Sequence, residues 1–311
     1  MAGKEKGRGP AEWLVDRALR GLIGIALALP YRQRVAFTGW AMSRIVAPLA
    51  GYDDRVRDNL ALVLPYLPAD EVARLVRAVP DNAGRALIEI YSGAEFKAHV
   101  ADTPIRGPGA EALRAAHDAR RPVLLVTGHF GNYDAPRAAL IGLGYRVGGL
   151  YNPMRNVYFN AHYVSAISSI GTPVFPRGRQ GLGGMIRFLR DGGMLGIVID
   201  QHMRHGAPLS FFGKTAMTAL SAAEMALKYD ALVVPIYGIR QPDGLNFDIV
   251  AEAPIPHGDP ATMTQALNDS LEMQVRAHMD QWLWIHRRWK PPPRRRTKKA
   301  EPKPGRGGEG R

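Results

Sequence analysis

The sequence predicts an α/β fold: a central, mostly parallel sheet flanked by helices, behind a helical N-terminal membrane-associating segment. Three observations lead there. Short continuous apolar runs bounded by glycine or proline recur from 122 to 240, as in strands buried on both faces. Helically spaced apolar residues fill the intervals between them, the alternation of a parallel sheet. From 10 to about 100 the chain has helical spacing alone. The boundaries that follow are a disordered stretch 1–9, a helical region 10–100, an α/β core 101–290 and a disordered basic tail 291–311.

The first helical region is expected to break at Pro30, Pro48, Pro65 and Pro80, since proline lacks the N–H a helix interior needs. Within it "GLIGIALAL" (21–29) falls far short of the roughly 20 apolar residues that cross a bilayer. A basic start and Ala26-Leu27-Ala28 also fit a secretory signal. The apolar run begins only after Glu12 and Asp16, however, which favours a retained helix lying at a membrane surface over a signal. An ordinary core helix is the plain alternative.

In the core, "PVLLVTG" (122–128), "YRVGGLY" (145–151), "TPVFP" (172–176), "MLGIVID" (194–200), "ALVVPIYGIR" (231–240) and "NFDIVAEAPI" (246–255) read as strands. Between them 135–144, 156–171, 181–193 and 218–230 read as helices, the last with Thr218 as N-cap. A long final helix is expected from 259 to 286.

Charge and composition bound the function. There is no cysteine, which excludes disulfides, thiolate nucleophiles and Cys-ligated zinc. Net charge is +13, and from Lys290 onward nine basic residues against two glutamates give +7, leaving +6 elsewhere. Such a chain attracts polyanions: nucleic acid, anionic lipid or acidic proteins. No nucleic-acid-binding fold is recognisable, so nucleic acid is set aside as a partner.

Ligands of open α/β sheets bind where strands end. There "TGHFGNYD" brings out His129 and, five positions on, Asp134. A neutral imidazole is the usual general base near neutral pH, and a carboxylate on one ring N–H fixes its tautomer. With no cysteine, and no serine within the motif, the simplest chemistry is direct: His129 deprotonates a substrate hydroxyl, which attacks an activated carbonyl. The bland alternative is a histidine bonded to a core carbonyl. Asp200, His202 and His205 offer a metal-ligating alternative. Asp200 and Gln201 are otherwise candidates to hydrogen-bond an acceptor. Phe211 and Phe212 are candidate walls of an apolar channel, and Arg177, Arg179 and Lys214 candidate holders of anionic groups such as phosphate. In "QWLWIHRRWK" (281–290), indoles beside cations suit a membrane–water interface.

The chain resembles the late lipid A acyltransferases, the lauroyl/myristoyl transferase family of the HxxxxD glycerolipid acyltransferases. The resemblance runs from about 10 to 290 and is carried in order by "TGHFGNYD", "LYNPMRN", "FPRGRQGLGGMIRFLRDGGMLGIVIDQH", "PLSFFGKTAMTALSAAEMALKYDALVVPIYGIR" and "QWLWIHRRWK". It implies transfer of a fatty acyl chain from acyl carrier protein to a hydroxyl of a lipid A precursor, at the cytoplasmic face of the inner membrane, without a metal or cofactor. It implies His129 as base and Asp134 as its orienting partner, with Asn152, Arg155 and Asn156 of "LYNPMRN" near the substrate. The family commonly has an arginine in the helix that follows; "NAHYVSAISSIG" has none, and Arg155 is the nearest. The same chemistry on a lysophospholipid, ornithine lipid or glycolipid, or a non-catalytic membrane-binding relative, are the alternatives.

Overall fold

The computed structural model describes residues 7–290. The tail 291–311, and the N-terminal stretch apart from Gly7–Gly9, lie outside the described residues.

The N-terminal region consists of α1 (Pro10–Leu27), α2 (Tyr31–Ala41), a π-helical turn (Met42–Val46) running into α3 (Ala47–Leu49), α4 (Tyr52–Val63), α5 (Ala69–Tyr91) and α6 (Gly93–Val100). Pro30 caps α2 and Pro65 follows α4, as expected. Pro48 and Pro80 do not break their helices. Pro80 is buried inside α5 beside Val76 and Val79, and burial of that face outweighs a cost of about 3 kcal/mol for an interior proline. The α5 backbone meets α2 directly: a Cβ on Gly84 would lie 2.6 Å from the Thr38 carbonyl oxygen and 3.1 Å from the Gly39 Cα.

The core continues with β1 (Ile105–Arg106), α7 (Gly109–Asp118), β2 (Val123–Thr127), α8 (Asp134–Gly142), β3 (Val147–Tyr151), α9 (Val157–Ile170), β4 (Val174–Pro176), α10 (Arg179–Arg190) and β5 (Met194–Val198). After these come β6 (Ala207–Phe211), β7 (Lys214–Thr218), α11 (Ser221–Tyr229), β8 (Leu232–Arg240), β9 (Phe247–Ala251) and α12 (Pro260–Ala277). Seven strands form one sheet in the order β1-β9-β8-β2-β5-β3-β4, parallel except for the β8–β9 pair. Every residue of β2 is buried, the two-sided burial its unbroken apolar run predicts.

Two local expectations fail. "LSFFGKTA" enters a separate antiparallel hairpin, β6–β7, which turns on Phe212 (φ 53°) and Gly213 (φ 66°). Thr218 is therefore the last residue of β7 and not a helix cap; Leu220 holds that place without a side-chain bond. The final helix stops at Ala277, and residues 279–290 form a strap across the ends of the strands.

One buried network ties the helical region to the sheet. Arg240 of β8 meets Glu89 of α5 in a two-pronged ion pair, Nη1 to Oε1 and Nη2 to Oε2, each 2.6 Å. Neither side chain is more than 5% exposed. Asn132 donates to Glu89 Oε2 at 2.7 Å, Arg240 Nε donates to Asn82 Oδ1 at 2.8 Å, and Asn82 Nδ2 donates to the Gly131 carbonyl at 3.1 Å. The loop after β2 is thus held from two sides. Gly131 is at φ +54°, and a Cβ there would stand 1.9 Å from the Gly238 carbonyl oxygen, so no other residue fits the turn.

Removing one partner of a buried pair strands the other's charge. Arg240→Leu is expected to destabilise the protein by about 3–5 kcal/mol, and the double change Glu89→Leu/Arg240→Leu to recover much of that loss. Urea unfolding of the three proteins checks it; equal losses in the single and double variants would mean the pair has no such role.

Candidate active site

Strands β2 and β5 lie side by side in register, with Thr127 opposite Val198. Two residues beyond each, the chain carries His129 and Asp200. The register therefore delivers a histidine and a carboxylate to the same edge of the sheet, from segments 71 residues apart. The His129 ring Nδ1 lies 2.8 Å from Asp200 Oδ1, and the His129 main-chain N–H donates to Asp200 Oδ2 at 2.7 Å. The Trp282 indole donates to the same Oδ2 at 2.9 Å. Asp200 has no exposed surface, and 18% of the His129 side chain is exposed.

The carboxylate on the imidazole is therefore Asp200 and not Asp134. Asp134 opens α8, and the turn through Gly131–Tyr133 aims its carboxylate along that helix, where Arg137 Nη1 donates to Oδ1 at 3.1 Å. Arg137 also donates to the carbonyls of Ile167 and Gly171 at the end of α9. The helix without an arginine of its own thus receives a guanidinium from α8.

Electrostatics follow from this geometry. Burial resists ionisation of Asp200, but the His129 ring, by charge and by hydrogen bond, holds its carboxyl well below the usual carboxylate range. Burial likewise disfavours the His129 imidazolium; Asp200 more than offsets it, and the imidazole pKa lies above its ordinary value. A carboxylate oxygen only accepts, so Nδ1 carries the ring proton in the neutral imidazole and Nε2 is the basic nitrogen. His286, with its ring centroid 4.7 Å from that of His129, is pushed down to about 4 by burial and by the neighbouring imidazole. It stays neutral near pH 7 and adds no positive charge beside His129.

His129 borders a cavity of about 280 Å3. Its floor is a row across three strands, Leu125, Gly196 and Gly149, which lie in register. The two glycines leave the row without side chains, and the opening is walled by Ile167, Val174 and Ile236. At its exposed rim stand Asn152 and Arg177, with Gln201 half-buried beside them.

Of the residues singled out in the sequence, His129, Asn152, Arg177 and Gln201 line this cavity, and Asp134 does so with its carboxylate on Arg137. The others do not. Asn156 caps α9, accepting from the Tyr158 and Phe159 N–H groups and donating to the Glu12 carbonyl. Arg155 and Arg179 are exposed away from the cavity, and Lys214 is exposed at the tip of the hairpin. Phe211 and Phe212 pack in an apolar cluster with Trp282, Trp284 and Trp289, so they wall no channel. The tryptophans are not an interfacial belt either: Trp282 and Trp284 have no exposed surface. Arg288 is equally buried and bonds Thr218 Oγ1 and the Met217 carbonyl, which anchors the strap. Among the described residues no group of three or more His, Asp or Glu side chains could hold a metal ion; Asp200 is turned into His129.

Sequence reading missed Arg137, Tyr133 and Tyr163, which also line the cavity, and the Glu89–Arg240 pair. They show only once helices and strands distant in sequence are packed together.

Comparisons with known proteins bear on the family. A family model described as bacterial lipid A biosynthesis acyltransferase matches residues 1–291. The chain is 26% identical over 300 residues to the lipid A biosynthesis palmitoleoyltransferase of Escherichia coli (strain K12), covering 91% of this chain and 93% of that protein. It is 24% identical over 244 residues to the lipid A biosynthesis lauroyltransferase of the same organism, covering 76% and 79%. It is also 24% identical over 247 residues to a phosphatidylinositol mannoside acyltransferase of Mycobacterium tuberculosis (strain CDC 1551 / Oshkosh), covering 77% and 78%. With a match along nearly its whole length and a buried acid–histidine pair beside an apolar cavity, the chain belongs to the bacterial lipid A biosynthesis acyltransferase family and is an acyltransferase.

Proposed function

We propose that the protein moves a fatty acyl chain from the thioester of an acyl carrier protein to a hydroxyl of a lipid A precursor, directly and without a covalent acyl-enzyme. The observation that carries this is the His129–Asp200 pair set at the head of an apolar cavity. His129 Nε2 removes the proton of the acceptor hydroxyl. The hydroxyl oxygen forms a bond to the thioester carbonyl carbon, the C–S bond then breaks, and the proton on Nε2 passes to the leaving thiolate. Asp200 holds the ring by Nδ1 and balances the imidazolium charge. The sheet-floored cavity suits the donor chain, and the rim arginine Arg177 suits the phosphates of either reactant. Asp134 acts on Arg137, not on the base.

The same reading places the enzyme on a membrane surface. No helix among the described residues is long and apolar enough to cross a membrane. Leu14, Leu22 and Ile25 of α1 are 61%, 65% and 67% exposed, and their spacing puts them on one helix face. Trp40 and Leu49 add exposed apolar surface nearby in sequence. Such a face lies at the headgroup boundary of a bilayer; the inner membrane, at its cytoplasmic side, is where this donor and acceptor would meet.

Incubating the purified protein with acyl carrier proteins of several chain lengths and a tetra-acylated lipid A precursor should yield a product heavier by one acyl group in the mass spectrum. Absence of transfer with every donor would overturn the reading. In that assay His129→Ala and Asp200→Asn should each lower turnover by about 10²–10⁴-fold. Asp134→Asn should cost far less turnover and show instead as lower stability; the reverse order would return Asp134 to the base.

The acid limb follows from the sign of the His129 shift. The base works only when Nε2 is free, so kcat/KM should fall as pH drops through a pKa above 6.5, and Asp200→Asn should move that limb to lower pH. An unmoved limb would assign the titration elsewhere.

Leu14→Glu with Leu22→Glu and Ile25→Glu should release the protein from sedimenting anionic vesicles while sparing turnover in detergent micelles. Unchanged sedimentation would remove α1 from the membrane contact.

A further inference from the structure

Two arginines border the main cavity. Arg177 is exposed at the rim, whereas the Arg137 side chain is only 7% exposed and stands in a wall that is otherwise apolar. It is anchored at several points. Nη1 donates to Asp134 Oδ1 at 3.1 Å and to the Ile167 carbonyl at 3.2 Å. Nη2 donates to the Ile167 carbonyl at 3.2 Å and to the Gly171 carbonyl. Nε is buried without a hydrogen-bond partner among the described residues.

The topology sets how deep this cation lies. Both β2 and β3 run parallel to β5, so α8 between them returns the chain along the sheet. Arg137 therefore stands about one helical turn below Asp134 and the strand ends. There it meets the floor: a Cβ on Gly149 would lie 3.5 Å from Arg137 Cζ and Nε. Gly196, in the same row, is uncovered. A Cβ there would meet no atom within 4 Å except the Gly148 carbonyl oxygen, at 3.6 Å. The floor is thus open at Gly196 and closed at Gly149.

Leu125 of that row is four residues before His129, at most about 13 Å along the chain. The volume agrees with so short a reach. An apolar cavity of about 150 Å3 takes a six-carbon ring, so about 280 Å3 suits a chain of about eleven carbons. A methyl end pushed further would have to pull a guanidinium off its bonds or lie against its unpartnered N–H. Either is costly, and each added methylene returns only about fourfold in affinity.

We propose that Arg137 is a specificity-determining residue of the donor site: held over Gly149, it ends the cavity and limits the acyl chain to about ten to twelve carbons. The inference rests on this cavity holding the donor chain, with the thioester at His129. It gives Asp134 a part as well, that of fixing Arg137 in place.

The full chain is assayed with acyl carrier proteins bearing saturated chains of eight to sixteen carbons. In the wild type kcat/KM should peak at ten or twelve carbons and fall by about tenfold or more at fourteen. In Asp134→Asn/Arg137→Met, where no ion pair holds the side chain, the fourteen-to-ten ratio should rise by about tenfold or more. The ratio is internal, so a loss of folded enzyme cancels. Gly196→Val, which fills the open part of the row, should lower the ten-to-eight ratio. A wild-type optimum at sixteen carbons, or an unmoved ratio in either variant, would overturn the proposal. A labelling arm separates this from failure of the lipid A reading. A decyl thioether of pantetheine with a diazirine at its far end transfers nothing. It should label wild-type peptides spanning 134–142 and 167–174 whether or not a lipid A precursor is acylated, and a tetradecyl homologue should label them far less. Labelling confined to other segments, or equal labelling by both lengths, would sink the assignment.

Discussion

Three donors converge on the carboxylate of Asp200: the main chain of His129, its ring, and the indole of Trp282. A bare charge so far from water would be costly, and these bonds are what make its ionised form tolerable. They also draw together the three segments that make the site. The loop after β2 brings His129, the end of β5 brings Asp200, and the strap closes over both through the Phe130–Trp282 bridge and the Leu283 N–H bonded to the His129 carbonyl. The aromatic cluster of Phe211, Trp282, Trp284 and Trp289 seals the strap against the β6–β7 hairpin. The parallel register of β2 and β5 sets the distance between base and acid before any side chain is chosen.

A second charged pair does for the scaffold what the first does for the chemistry. Glu89 and Arg240 join α5 to β8, and through Asn132 and Asn82 they fix the backbone of the loop that carries His129. The helical region is therefore not an appendage on an α/β core. Its fifth helix supplies a wall of the site and half of the clamp, and the close α2–α5 crossing at Gly39 and Gly84 transmits that position to the exposed helices.

What could be read from the chain follows the range of the interactions involved. The six main strands were legible as short apolar stretches bounded by turn residues, most clearly β2, where two-sided burial writes an unbroken apolar run. His129 was legible because glycines and a strand end surround it. Its partner was not: Asp134 is near in sequence, but Asp200 is near in space, and strand adjacency is written nowhere locally. The Trp-rich strap misled for a related reason. Indoles beside cations have the same composition at a bilayer surface as in a core where Arg288 spends its donors on Thr218 and a carbonyl. Pro80 shows the opposite error, a strong local signal overruled by the packing of the helix that contains it.

The strap also gives the molecule an order in time. Ribosomal synthesis delivers the N-terminal helices first, His129 later, Asp200 later still, and the indole that completes the bonding of that carboxylate only at 282. Until that last segment arrives, the carboxylate lacks a donor, the loop of His129 lacks its pairing with Leu283 and Gln281, and the aromatic seal is open. A growing chain therefore carries its helical region long before the bonding around Asp200 is complete.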